Sequence, residues 1–66
     1  MDEVEIGAAV KLRRRALGLT QADLAALAET DRDTISALEK GRGTRLATLL
    51  RTAAVLGLSV KVGDTA

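Results

Sequence analysis

The chain is 66 residues long and 47% apolar, with 10 Lys and Arg against 9 Asp and Glu, and it has no Phe, Tyr, Trp, Cys, His or Pro. That length allows one small domain, and without Cys or His no disulfide or ordinary zinc site can reinforce its core, which leaves association with identical chains as the remaining support. The same absences exclude thiol, Ser-His and Cys-His catalysis and remove the stacking platforms that unpaired bases need, so no enzyme activity, cofactor or metal is expected.

Charge is distributed unevenly. The first ten residues carry three acids and no base, whereas residues 11–51 hold nine bases and five acids. The net charge of +1 therefore conceals a basic centre, a hint of a polyanionic partner that ordinary solvated surface would also explain. Apolar runs reach only about five residues against the roughly 18 of a membrane span. The start, Met1-Asp2-Glu3-Val4-Glu5, is acidic rather than a basic leader. A cytoplasmic protein without membrane attachment is the expectation.

In chain order, Asp2 with Glu5 marks the start of a first helix near 3–17, with Ile6, Val10 and Leu17 on one face and Gly18 ending it. Thr20 with Asp23 opens a second near 21–28, where Leu24 and Ala28 lie four apart. A third runs near 32–40 with Ile35 and Leu38 three apart; Thr30 with Asp33 marks its start, Asp31 competes as the cap, and Gly41 ends it. The fourth, near 45–56, carries a wide stripe of Leu46, Leu49, Leu50, Ala53 and Leu56 before Gly57. All of these apolar positions are assigned to the core.

Leu58-Ser59-Val60-Lys61-Val62 alternates like a strand and is the only such pattern in the chain. A lone strand leaves backbone groups unpaired, so pairing with the same segment of a second chain is expected, with Leu58, Val60 and Val62 as dimerisation residues. A frayed tail is the alternative. The chain thus divides into residues 1–57, the folded domain, and 58–66, strand and tail.

Only Glu29, Thr30 and Asp31 separate the second and third helices, with the small Ala25 in the middle of the second. Such spacing defines a helix-turn-helix, in which the second member can enter a DNA major groove while the first crosses the backbone. Any compact helical domain can also contain a short turn.

The run Ile6-Gly7-x-x-Val10-x-x-x-Arg14-x-x-x-Gly18-Leu19-Thr20-Gln21-x-x-Leu24-Ala25, followed by Thr34-Ile35-Ser36-x-Leu38-Glu39-x-Gly41-Arg42, Leu49-Leu50 and Leu56-Gly57-Leu58, resembles the Xre/Cro/phage-repressor DNA-binding domains over nearly the whole chain. Thr44-Arg45-Leu46 and the strand-like ending are closest to the HipB-like branch of short dimeric repressors that often serve as antitoxins. The resemblance implies an all-α, compact four-helix, lambda-repressor-like domain with a C-terminal β-strand pairing across a homodimer. It further implies a sequence-specific regulator of double-stranded DNA, a repressor on a palindromic operator. The alternatives are an antitoxin that neutralises a toxin protein while autoregulating its operon, and a protein-interaction module that keeps the fold.

The resemblance also assigns residues. Gln21 matches a backbone-clamping Gln, whose amide and neighbouring free N–H groups suit a phosphate. Arg32, Asp33, Thr34, Ser36 and Ala37 fall on the reading side of the third helix. Arg32 is the candidate reader of guanine O6 and N7, Asp33 can accept from a cytosine amino group or cap the helix, Thr34 and Ser36 can donate, and Ala37 offers a contact for a thymine methyl. Lys40, Arg42, Thr44 and Arg45 follow in a loop suited to a phosphate strand, while Arg13 and Arg15 are weaker candidates. Arg14 is expected beside Glu39 as a largely buried structural ion pair. Many relatives have Gly where this chain has Glu29, so a positive φ is expected there.

Overall fold

Side-chain oxygens set the starts of three helices in the computed structural model, which describes residues 2–59. Helix α1 (Glu3–Ala16) opens on Asp2, whose Oδ1 accepts from the Glu5 N–H at 2.8 Å while the Asp2 N–H donates to Glu5 Oε1 at 3.3 Å. Helix α2 (Gln21–Leu27) repeats this reciprocal box: Thr20 Oγ1 accepts from the Asp23 N–H at 3.0 Å, and the Thr20 N–H donates to Asp23 Oδ2 at 2.9 Å. For α3 (Arg32–Glu39) Asp31 is the cap, its Oδ1 accepting from the Thr34 N–H at 2.7 Å. Thr30 instead donates its N–H to the Ala25 carbonyl at 2.9 Å. Helix α4 (Leu46–Leu56) follows Arg45 with no side-chain cap.

Arginines finish two of the helices. Arg13 Nε donates to the Leu56 carbonyl at 3.0 Å and Arg51 Nε to the Ala28 carbonyl at 3.0 Å. Both place a cation where unpaired carbonyls gather at a helix end. At the end of α3, Gly41 adopts φ +76°, and a Cβ there would lie 2.9 Å from Val4 Cα, so the loop after α3 runs against the first turn of α1.

Val10, Leu24, Ala25, Ile35, Leu38 and Leu56 form the buried cluster, with Ile6, Leu19, Leu49, Val55 and Leu58 packed around it. Helices α1 and α2 each pack against both α3 and α4. Ala25, 3% exposed, is buried in the same cluster as Ile35 and Leu38 of α3. A close approach joins α1 to α3: a Cβ on Gly7 would fall on the Leu38 carbonyl oxygen and 2.9 Å from that of Glu39.

Three positions assigned to the core lie outside it. Leu17, Leu46 and Leu50 are 45%, 53% and 42% exposed. Leu17 is the cap residue beyond the last turn of α1, where the helical face no longer continues. On α4 the inward face is formed by Thr48, Thr52, Ala53 and Leu56, which turns Leu46 and Leu50 outward. The stripe was too wide for one helix face to bury, and two threonines took the inner positions.

The turn between α2 and α3 has Glu29 at φ +57°, as its place in the turn required. Among the described residues there is no strand. The Leu58 N–H donates to the Ala53 carbonyl at 2.9 Å, closing the end of α4, and the Leu58 side chain packs on the core. Val60 and Val62, the other residues of the expected strand, lie outside the described residues. No described helix is long and apolar enough to cross a membrane.

Gly7→Ala tests the α1–α3 contact. Forcing a methyl group against two carbonyls should destabilise the domain by about 1–3 kcal/mol, read as a lower urea midpoint with an unchanged slope.

Candidate nucleic-acid interface

The interface is built on a buried ionic node. Arg14 meets Glu39 in a two-point fork, Nε to Oε2 at 2.6 Å and Nη2 to Oε1 at 3.0 Å, with side chains 9% and 3% exposed. The remaining guanidinium nitrogen, Nη1, donates to the Leu19 carbonyl at 2.8 Å. Gln21 completes the node by donating from Nε2 to Glu39 Oε1 at 3.1 Å. Its amide is therefore partly committed to a carboxylate, a role beyond the phosphate clamp that the resemblance implies.

Burial works to raise the Glu39 carboxyl, but hydrogen bonds from Arg14 and Gln21, with the charges of Arg14 and Lys11, outweigh it and hold the group below its ordinary range. Arg14 is pushed the other way, upward, by its hydrogen bond to Glu39, against the effect of burial. Each charge stabilises its partner's ionised form. The caps behave similarly: the Thr20 backbone and then its hydroxyl hold the exposed Asp23 carboxyl down, and the Thr34 side chain and then its backbone hold Asp31 down.

With Ile35 and Leu38 buried, the spacing of α3 places Asp33, Ser36, Ala37 and Lys40 along its outer side. Asp33 and Lys40 are exposed, while Ser36 and Ala37 are half-buried. Two depressions flank this ridge. One gathers the exposed Arg32 with Gln21, Lys11 and Arg15 beside the start of α2. The other joins Asp33, Thr34 and Ala37 to Thr44, Arg45 and Arg51 between α3 and the start of α4. Arg42 is exposed in the intervening loop and lines neither depression.

Of the expected residues, Gln21 and Arg32 line one depression, Asp33, Thr34, Ala37, Thr44 and Arg45 the other, and Ser36, Lys40 and Arg42 neither. Asp31 is committed to capping and Asp33 is not, which leaves the Asp33 carboxylate free on the ridge. Lys11 and Arg15 were passed over or ranked low in the sequence. Their four-residue spacing sets both on one side of α1, but only the packing of the helices brings them beside Arg32. Arg51 was also missed, and it is held in place by the Ala28 carbonyl.

Two short helices joined by a four-residue turn, the second with a polar outer ridge between cation-bearing depressions, form the helix-turn-helix of DNA-binding proteins. The profile of the helix-turn-helix family matches residues 10–62, and the chain belongs to that family of DNA-binding regulators. A search of curated proteins finds no match.

The node predicts two stability effects. Arg14→Ala strands a buried carboxylate and should cost about 3–5 kcal/mol in urea unfolding. Because folding lowers the Glu39 value, its contribution is fully present above the unfolded carboxyl value of about 4.3 and disappears as pH falls through the lower folded value. In Glu39→Gln this acid-dependent part should vanish from a plot of stability against pH.

Proposed function

We propose that this helix-turn-helix protein is a dimeric repressor that recognises a palindromic operator in duplex DNA and acts by occupying it. The observation that carries the reading is the outer ridge of α3 with exposed Arg32 beside it, fixed from below by the Arg14–Glu39 fork. In a major groove Arg32 bonds a guanine through O6 and N7, Ser36 donates to a base or phosphate, and Ala37 meets a thymine methyl. Asp33, free of capping, accepts from a cytosine amino group, and Thr34 supports the adjacent backbone.

Phosphates are gripped from both sides. Gln21 takes one with the amide atoms left over from Glu39, Lys11 and Arg15 add charge beside it, and Lys40, Arg42, Thr44 and Arg45 hold a second strand. Dimerisation places two α3 helices about 34–36 Å apart in successive grooves. The likeness of Thr44-Arg45-Leu46 and the chain's ending to the HipB-like branch supports a second reading, an antitoxin whose operator binding is autoregulatory. Co-purification of a toxin protein from the native source would select it.

Selection from random duplex DNA should enrich a two-fold symmetric sequence. Enrichment of none would point to a protein-interaction module. On the selected site, affinity should fall linearly in a log–log plot against salt, and a flat plot would reject phosphate neutralisation. Arg32→Ala should cost about 1–3 kcal/mol on the operator and far less on random DNA; equal losses would make Arg32 a backbone contact.

A further inference from the structure

Helix α4 is apolar on both sides, with Ala53 and Leu56 buried inward beside two threonines. Its inner side carries Thr48 and Thr52, 7% and 0% exposed, whereas Leu46 and Leu50 stand 53% and 42% exposed. Ala47 and Ala54 are exposed beside them. The threonines are satisfied inside because Thr52 Oγ1 donates to the Thr48 carbonyl at 2.8 Å and Thr48 Oγ1 accepts from Arg51 Nη2 at 3.5 Å. A helix at the surface of a monomer ordinarily turns a polar face to water. Contiguous outward apolar side chains mark an interaction surface.

We propose that the outer face of α4, formed by Leu46, Ala47, Leu50 and Ala54, is the surface on which a second copy of the chain docks, with the two α4 helices antiparallel about a two-fold axis. This deepens the dimeric reading above and rests on it. A two-fold contact needs a surface that complements itself. The register that sets Leu50 on Ala54 of the partner subunit also sets Ala54 on the partner subunit's Leu50, so large meets small twice. These four residues are uncharged. Two identical faces therefore meet without repulsion, while a partner recognised by charge finds nothing to pair with.

Position and size favour the same occupant. Helix α4 packs on α1 and α2, and the four docking residues line neither of the depressions beside α3. The buried apolar core among the described residues has only eight side chains, three of them alanine. So small a core gains most from further burial. An α4 of 11 residues is about 16 Å long, which places the contact at the small end of protein interfaces and makes the dimer weak in the absence of DNA.

Sedimentation equilibrium without DNA tests this on the wild type, Leu50→Glu, Ala54→Glu and a chain ending at Ser59, with helicity by circular dichroism as the folding check. The wild type and the shortened chain should dimerise, and each Glu variant should keep its helicity with a dissociation constant raised about 30-fold or more. Ala54→Glu leaves the core untouched, so it remains informative if Leu50→Glu unfolds. The chain has no cysteine, and Leu50→Cys combined with Ala54→Cys should give disulfide-linked dimers on oxidation, where Leu12→Cys on α1 should not. A wild-type dimer unaffected by either Glu variant, or a dimer lost only on shortening, would overturn the α4 face while leaving the dimeric reading intact. A wild type still monomeric at about 1 mM would overturn both.

Discussion

One guanidinium and one carboxylate organise this domain. Arg14 lies in the last turn of α1 and Glu39 is the final residue of α3, and the fork between them pins the end of the candidate reading helix to the longest helix in the structure. The third guanidinium nitrogen fastens the loop at Leu19, and Gln21 brings in the start of α2. Three helices and a loop converge on two side chains. Burying such charges is tolerable only because the fork satisfies both partners in a planar, two-point geometry that Lys cannot reproduce. Gly7 contributes from beside the node, since the absence of a side chain there lets α1 approach the carbonyls at the end of α3. The C-terminal end of α3 is thus fixed by the node, while the fully buried Ile35 anchors its N-terminal half and leaves Arg32 and Asp33 exposed.

The economy of the chain lies in how it divides its cations. Arg13 and Arg14 are held by carbonyls or by Glu39 and serve the fold, and Arg51, held by the Ala28 carbonyl, serves it while also lining a depression beside α3. Arg32, Lys40, Arg42 and Arg45 stand exposed around α3 and the loop after it, with Lys11 and Arg15 on the neighbouring helix. Net charge hides this division. A formal +1 describes the whole molecule, but a surface is recognised by the side chains left over once the scaffold has taken its share.

Much of the architecture was legible in the residues. Capping pairs and glycines placed all four helices to within a residue or two, because those signals act locally and report on backbone groups that must be satisfied. The left-handed conformation of Glu29 was legible only through the resemblance, since relatives place Gly at that position. The inward face of α4 was not. Periodicity counted Leu46 and Leu50 as core and ignored Thr48 and Thr52, whose burial depends on a back-bond to the helix and on Arg51, neither of which spacing can show. For the candidate interface, the exposure of Arg32 and Asp33 opposite the buried Ile35 and Leu38 followed from the motif. The grouping of Lys11 and Arg15 with Arg32 required the packing of α1 against α3, a long-range relation. The Gln21 bond to Glu39 was hidden likewise, since the two are remote in sequence and one side chain can serve a carboxylate and a ligand together.

The turn at Glu29 shows where the aim of α3 comes from. A side chain held at φ +57° resists its conformation by roughly 1–2 kcal/mol, so the turn does not choose the path taken by the chain. It is bent into place by what it connects: Ala25 and Leu24 beneath it, Ile35 and Leu38 beyond it, and the Thr30 N–H bonded back to the Ala25 carbonyl. The linker follows and the helices lead. Sequence drift in these few connecting residues would then alter how firmly the domain holds together while leaving the orientation of α3 unchanged, so the outer face of that helix and the robustness of the fold can evolve at separate places in the same short motif.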